Sequence, residues 1–180
     1  MGARRRGDAP VVSPWSRRIV VLGLLGALAL QDCAAREPPG AALAGTPDVP
    51  RADAALERAV HELVNRHRRA RGLPPLTLDQ RISRQARLHS QAMAEGRTRF
   101  GHGGFTDRID ALGRVMSCRR TAENVASNRG HRDPAAEAVR GWLESRAHLE
   151  NIDGPYDLTG IGVARNAAGE VFFTQLFVGR

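Results

Sequence analysis

The sequence predicts a three-layer α/β/α sandwich of the α+β class, with a mostly antiparallel central sheet. Helical spacing of apolar residues dominates the first part of the folded region, and two strand-like segments joined by a turn close the chain. The last segment, residues 171–178, is apolar on both of its faces. A strand of that kind is buried on both sides, so helices are expected above and below the sheet.

The length and composition fit a single domain behind a leader. The chain has 180 residues, of which 42% are hydrophobic and 26% are charged, values typical of a globular protein. The net charge is +8, and all 27 basic residues are arginine. Two cysteines are too few for a small scaffold held together by disulfides.

Residues 1–35 have the pattern of an export signal. Arginines precede an uncharged run over residues 19–30, which is too short to span a bilayer but fits the core of a signal peptide. Two outcomes of processing are open. The leader is cleaved after Ala35, or Cys33 carries the lipid of a lipoprotein.

After the leader, residues 36–52 are rich in Pro, Ala and Gly and lack periodicity, which predicts a flexible linker. Residues 53–180 are expected to form the domain. Asp53 and Asp133 are predicted helix N-caps, and Gly72 is a predicted helix stop. The spacing of apolar residues predicts four helices, over residues 53–71, 79–96, 106–116 and 134–150.

The final third of the chain changes from helical to strand-like periodicity. Strands are predicted over residues 160–164 and 171–178, joined by a hairpin turn at residues 166–169. The fourth helix, immediately before them, is predicted to be continuous and to bury one stripe of side chains: Ala138, Trp142, Ser145 and Leu149.

Several chemically notable residues are expected to have structural or surface roles. His89 lies on an apolar helix stripe, which indicates a hydrogen-bonded core histidine, and Cys118 is expected to be a small packing residue. His61 and His67 are expected at the surface or its boundary. A solvated helix face is the expected position of one arginine cluster, with contact to an anionic surface as the alternative: Arg66, Arg68, Arg69 and Arg71.

Five short segments in a fixed order carry a resemblance to a known family. They are residues 65–76, 100–108, 122–126, 142–152 leading to 160–164, and 174–177. Together they resemble the CAP superfamily, which includes cysteine-rich secretory proteins, venom allergens and plant pathogenesis-related proteins. The resemblance covers about residues 54–180 and implies the same α/β/α sandwich fold.

The resemblance also implies a groove with two histidines and two glutamates, which holds a divalent metal in some members. In this sequence it assigns His102, Glu123 and His148 to the groove, from a loop, a loop or strand edge, and a helix end. His102 and His148 would be the metal ligands, with zinc as a suitable ion. Glu144 is the candidate for the second glutamate, although it follows Trp142 by two residues where animal members have three.

An alternative for Glu144 comes from its spacing. Arg140, Glu144 and His148 form an i, i+4 row on the predicted fourth helix, which also fits an exposed face with ion pairs.

Three functions follow from this sequence as hypotheses. The first is an exported module that binds a metal and a small or lipidic ligand, or a cell-envelope component, in the groove. The second is a metal-dependent hydrolase with Glu123 as base. The third is a structural domain of the envelope. We expect a monomer without nucleic-acid binding, attached to a membrane only through the leader or a lipid on Cys33.

Overall fold

The structure, a computed structural model, describes residues 50–180, so the predicted signal peptide, Cys33 and nearly all of the predicted linker lie outside it. Within this range the helices are α1 (Arg51–Ala70), α2 (Gln80–Ala94), α3 (Phe105–Gly113), α4 (Pro134–Glu144) and α5 (Arg146–Asp153). The strands are β1 (Thr77–Leu78), β2 (Arg120–Asn128), β3 (Leu158–Arg165) and β4 (Val171–Gly179). None of these helices has the length and apolar character needed to cross a bilayer.

The four strands form one sheet in the order β1-β3-β4-β2. Strand β4 pairs antiparallel with both β3 and β2, and only the short β1 is parallel to its neighbour. Helices α1, α4 and α5 pack on one face, and α2 and α3 pack on the other. All nine residues of β4 are buried. The predicted α/β/α sandwich and the strand buried on both faces are therefore confirmed.

Helix α1 differs from its prediction at its first end only. It starts at Arg51, so Asp53 is not its N-cap, and the Asp53 carboxylate instead accepts a hydrogen bond from Arg165 Nε at 2.9 Å. The predicted stop is confirmed. Gly72 has φ +71°, and the following Leu73 N–H donates to the Arg68 carbonyl, which is the Schellman end of a helix.

One arginine of the predicted solvated face lies inside the domain. Arg68 is 2% exposed, and its guanidinium donates to the carbonyl oxygens of Pro74, Ile152 and Gly154 at 2.6–2.9 Å. The expectation of a solvated side chain was wrong for this residue. The carbonyls of the loop after α1 and of the C-terminal end of α5 need donors, and Arg68 supplies them.

Helix α2 lies unusually close to strand β3. Its N-cap is Asp79, whose carboxylate accepts a hydrogen bond from the Arg81 N–H. Gly160 and Gly162 of β3 face the helix, and a Cβ on either would overlap with the α2 backbone. The close approach lets Ser90 Oγ donate to the Gly162 carbonyl at 2.9 Å. These two glycines are required by packing, since neither has a positive φ.

Strand β2 is the main addition to the predicted elements. The sequence suggested a loop or strand edge around Glu123, and the structure has a nine-residue edge strand there. Glu123 and Asn124 are both buried, so polar residues occupy interior positions of the strand. Because buried positions of β2 are polar, its sequence lacks the alternation of apolar and polar residues by which a strand is predicted.

The predicted fourth helix is two helices. Ser145 has extended backbone angles, φ −97° and ψ 119°, and separates α4 from α5. As a result Ser145 and Leu149 are not part of a buried stripe, as the continuous helix would require. Glu144 and His148 therefore do not share one helical row, and the i, i+4 argument that linked them does not apply. No Gly or Pro marks the break in the sequence.

Two expectations for single residues are confirmed. His89 is buried, with Nε2 2.7 Å from the Gly101 carbonyl oxygen, and burial lowers its pKa. Cys118 is half-buried beside the cluster around Leu112, and burial raises the pKa of its thiol. A raised pKa disfavours the reactive thiolate.

Candidate functional site

The candidate site lies where the loop before α3 meets the edge strand β2. His102 of that loop is hydrogen-bonded through Nδ1 to Glu123 Oε1 of β2 at 3.0 Å. An ionised carboxylate only accepts hydrogen bonds, so Nδ1 carries the proton and Nε2 keeps its lone pair. The His102 side chain is 54% exposed, whereas that of Glu123 is 2% exposed. The imidazole is thus held from inside the protein and open towards solvent.

Arg108 of α3 holds the Glu123 carboxylate from the other side. Its Nε lies 2.9 Å from Oε2 and its Nη2 lies 2.9 Å from Oε1. Its third nitrogen, Nη1, donates to the Gly103 carbonyl at 2.8 Å. A buried carboxylate is stable only when it is paired and hydrogen-bonded, and this guanidinium provides both the charge and the donors. We call His102, Glu123 and Arg108 the clamp.

His148 approaches the same strand from α5, on the opposite face of the sheet from α3. The position of α5 is fixed by the buried Asn124: the Asn124 Nδ2 donates to the His148 carbonyl at 3.1 Å, and Asn151 donates to Asn124 Oδ1 at 2.9 Å. Within residues 50–180, neither ring nitrogen of His148 has a hydrogen-bond partner.

The electrostatic surroundings favour a neutral His148. Burial lowers the pKa of its imidazole, and a positive charge on His102 would lower it further. The neutral ring is the form that binds metal ions. Each imidazole therefore has a ring nitrogen that no hydrogen bond within residues 50–180 occupies, His102 on the α3 side of β2 and His148 on the α5 side.

Glu144 has a different partner. Its carboxylate accepts from Arg140 Nη1 at 2.7 Å on the surface of α4, and Arg140 also pairs with Glu137. In the described part of the chain, Glu144 makes no hydrogen bond to His102, Glu123 or His148. Of the two alternatives for Glu144, the structure has the exposed ion pair with Arg140.

If this site holds a metal ion, its donor set would suit an open, weakly held site better than a closed structural one. Across residues 50–180, no group of three or more His, Cys, Asp or Glu side chains is placed to hold a metal. Both oxygens of Glu123 are already bound by Arg108 and His102. Two imidazoles remain, which leaves further positions for water or a ligand, whereas structural zinc sites use four protein ligands.

Sequence reasoning missed three positioning residues at this site. Arg108, Asn124 and Asn151 all stand inside the motif segments, but no role was assigned to them. Arg108 is one of 27 arginines, and nothing in the sequence distinguishes a buried, paired arginine from an exposed one. Whether an arginine of α3 contacts a buried strand depends on how the two elements pack, which the sequence does not show.

Comparison with known proteins identifies similar chains. A sequence model of the "Cysteine-rich secretory protein family", CAP, matches residues 61–177. The curated protein YkwD of Bacillus subtilis, described as uncharacterized, is 34% identical over an alignment of 160 residues that covers 86% of this chain. The chain spans only 59% of the length of that relative.

Two solved structures share the fold. An extracellular protein containing a SCP domain from Bacillus anthracis is 26% identical with a TM-score of 0.60, over 71% of this chain and 41% of that one. An outer surface protein of Borrelia burgdorferi is 22% identical with a TM-score of 0.61, over 70% of this chain and 93% of that one.

Proposed function

The chain belongs to the cysteine-rich secretory protein (CAP) family, and on that premise we propose that it is an exported binding module. Its groove would take a divalent metal ion, such as zinc, and a small or lipidic ligand. The signal-like residues 1–35 support export, as does the similarity to a Bacillus anthracis protein described as extracellular. Lipid attachment at Cys33 is part of this proposal as one route of anchoring.

The observation that carries the proposal is the state of His102. The hydrogen bond to Glu123 occupies Nδ1 of His102, whereas Nε2 of this half-exposed ring keeps its lone pair. A histidine that donates its other N–H to a carboxylate is the arrangement in which proteins present an imidazole to a metal, because the hydrogen bond fixes both tautomer and orientation. His148 would be the second ligand. A bound cation would add the positive charge that attracts an anionic or carbonyl-bearing ligand.

The same geometry argues against Glu123 as the base of a hydrolase. A general base needs a free oxygen within hydrogen-bond reach of the water it deprotonates. Glu123 is almost fully buried, and the guanidinium of Arg108 and the imidazole of His102 bind both of its oxygens. We therefore assign Glu123 as a positioning residue, which orients His102.

A structural role for the clamp is the second candidate function. The clamp ties the loop before α3 to the sheet, since Arg108 also binds the Gly103 carbonyl and His89 binds the Gly101 carbonyl. Under this alternative, loss of His102 lowers stability and changes no metal affinity.

Zinc titration by calorimetry at pH 7.5, on metal-stripped protein, tests the proposal. We expect one site, weakened at least about tenfold in His102→Ala and in His148→Ala. Glu123→Gln is expected to weaken binding about 10–100-fold, the usual effect of removing a carboxylate behind a metal-binding histidine. The matched controls are Glu144→Gln, on the surface of α4, and His131→Ala, which changes an exposed histidine of the loop before α4. Both should bind zinc as the wild type does.

The outcomes separate the three functions. Absence of a specific site, with a lower melting temperature for His102→Ala, would leave the structural role. Zinc-dependent turnover of a peptide, ester or phosphodiester that Glu123→Gln abolishes while the metal stays bound would establish the hydrolase and overturn our assignment of Glu123.

A further inference from the structure

A second concave site lies at the end of the sheet, away from the clamp. It is an open cavity of about 420 Å³ where β2 begins and β4 ends. Ligand pockets in proteins have volumes of roughly 300–1,000 Å³, so the cavity is large enough for a small molecule. We call it the Arg119–Arg120 pocket, after the two arginines that line it together with Tyr156, Asp157 and Arg180.

The charged side chains in this pocket do not balance. The one acidic side chain among its lining residues, Asp157, is bound by Arg180 through Nε at 2.6 Å and through the backbone N–H at 3.0 Å. Arg119 and Arg120 have no acidic side chain within ion-pair distance in the described part of the chain. The guanidinium groups of Arg119 and Arg120 are therefore left without an acidic side-chain partner among the residues that line the cavity.

The pocket also contains a neutral hydrogen-bond donor. The Tyr156 ring packs on Phe177 of β4, with ring centroids 5.6 Å apart, which fixes its position. Burial raises the pKa of the Tyr156 phenol, and the charge of Arg120 acts in the opposite direction. The hydroxyl stays protonated at neutral pH and can donate a hydrogen bond beside the two arginines.

The framework of the pocket is the sheet itself. Arg120 is paired in register with Gly179, and the Arg119 N–H donates to the Gly179 carbonyl at 2.8 Å. A Cβ at position 179 would lie 3.1 Å from the Pro155 carbonyl oxygen and 3.4 Å from Arg120 Cβ. A glycine at this position keeps the floor of the pocket open, and the strand pairing holds the arginines in place.

We propose that the Arg119–Arg120 pocket binds a phosphate group, either free or as the headgroup of a lipid. Arg119 and Arg120 both line the pocket, and a guanidinium presents a planar set of N–H donors that matches phosphate oxygens; the phenol adds one more donor. Arg120 begins β2, whereas Glu123 of the clamp lies further along the strand, so the pocket does not depend on metal binding at the clamp.

The test uses a charge-matched pair of variants. Arg119→Gln/Arg120→Gln removes the two pocket charges, and Arg129→Gln/Arg132→Gln removes two exposed charges from the loop between β2 and α4. Inorganic phosphate is titrated by NMR at constant ionic strength near physiological values, and flotation is measured with phosphatidylglycerol vesicles and with phosphatidylcholine vesicles. We expect the pocket variant to lose at least about tenfold in affinity for one of these phosphate probes, since charged hydrogen bonds are the strong ones, and the loop variant to match the wild type.

The two probes identify the source of the phosphate. Loss for inorganic phosphate assigns a free anion, and loss for phosphatidylglycerol vesicles alone assigns a lipid headgroup. Equal loss in both variants would mean general attraction by a basic surface and would overturn the proposal. The proposal would also be overturned if the wild type bound neither inorganic phosphate nor phosphatidylglycerol vesicles, or if it bound phosphatidylcholine vesicles equally well.

Discussion

Gly162→Ala is expected to destabilise the domain by at least about 3 kcal/mol, or to prevent its folding, which is beyond the usual cost of overpacking a core. The added Cβ would overlap with the backbone of Arg87 and Ala86 in α2. A side chain could rotate away from such a contact, but a helix backbone has to move as a unit. Moving α2 would also break the hydrogen bond from Ser90 Oγ to the Gly162 carbonyl.

Gly141 provides the control for this prediction. It lies inside α4, and a Cβ there would meet nothing within 4 Å. Gly141→Ala should therefore stabilise the protein by about 0.5–1 kcal/mol, because alanine is the better helix former. Denaturant unfolding of both variants beside the wild type measures the difference. A free energy of unfolding for Gly162→Ala within about 1 kcal/mol of the wild type would disprove the close contact, since most single substitutions cost that much without one.

Arg68→Met is the second substitution with a large expected effect, a loss of about 3–5 kcal/mol. Methionine fills a similar volume but donates no hydrogen bonds. The carbonyl oxygens of Pro74, Ile152 and Gly154 would lose a charged donor at once, and a fourth, that of Tyr156, a longer contact of 3.4 Å. Buried acceptors without donors carry the full cost of desolvation.

A substitution of the neighbouring Arg69 is the control for this prediction. It is exposed on the same helix, so Arg69→Met should change the free energy of unfolding by no more than about 0.5 kcal/mol. Arg68→Lys should recover little, because an ammonium group is a point charge and cannot reach carbonyls on several sides. Equal melting temperatures for Arg68→Met and Arg69→Met would contradict the central position of Arg68.

Elements with regular apolar spacing could be predicted from the sequence. The helices α1 and α2 and the strands β3 and β4 have such spacing, and β4 is apolar on both faces, which indicated the layers around the sheet. Strand β2 could not be predicted in this way, because Glu123 and Asn124 occupy buried positions. The break at Ser145 carries no Gly or Pro, so the local sequence does not mark it.

For the candidate site, too, one part could be predicted from the sequence and another could not. His102, Glu123 and His148 came from the resemblance of their motif segments to a family. Their relation to one another came from the structure, which makes Glu123 part of a buried pair with Arg108 and leaves only the histidines for a ligand. Arg68 and Arg108 could not be distinguished in the sequence from the exposed arginines, since burial depends on contacts between distant segments.

Nitrogen NMR of the histidine side chains tests the central claim, that His102 and His148 present their rings to one ion while Glu123 holds His102. In metal-free protein, His102 should carry its proton on Nδ1, as the hydrogen bond to Glu123 requires. One equivalent of zinc should shift the unprotonated nitrogens of His102 and His148 together and leave His131 unchanged. A proton on Nε2 of His102, or a zinc-induced shift in only one of the two histidines, would contradict this account.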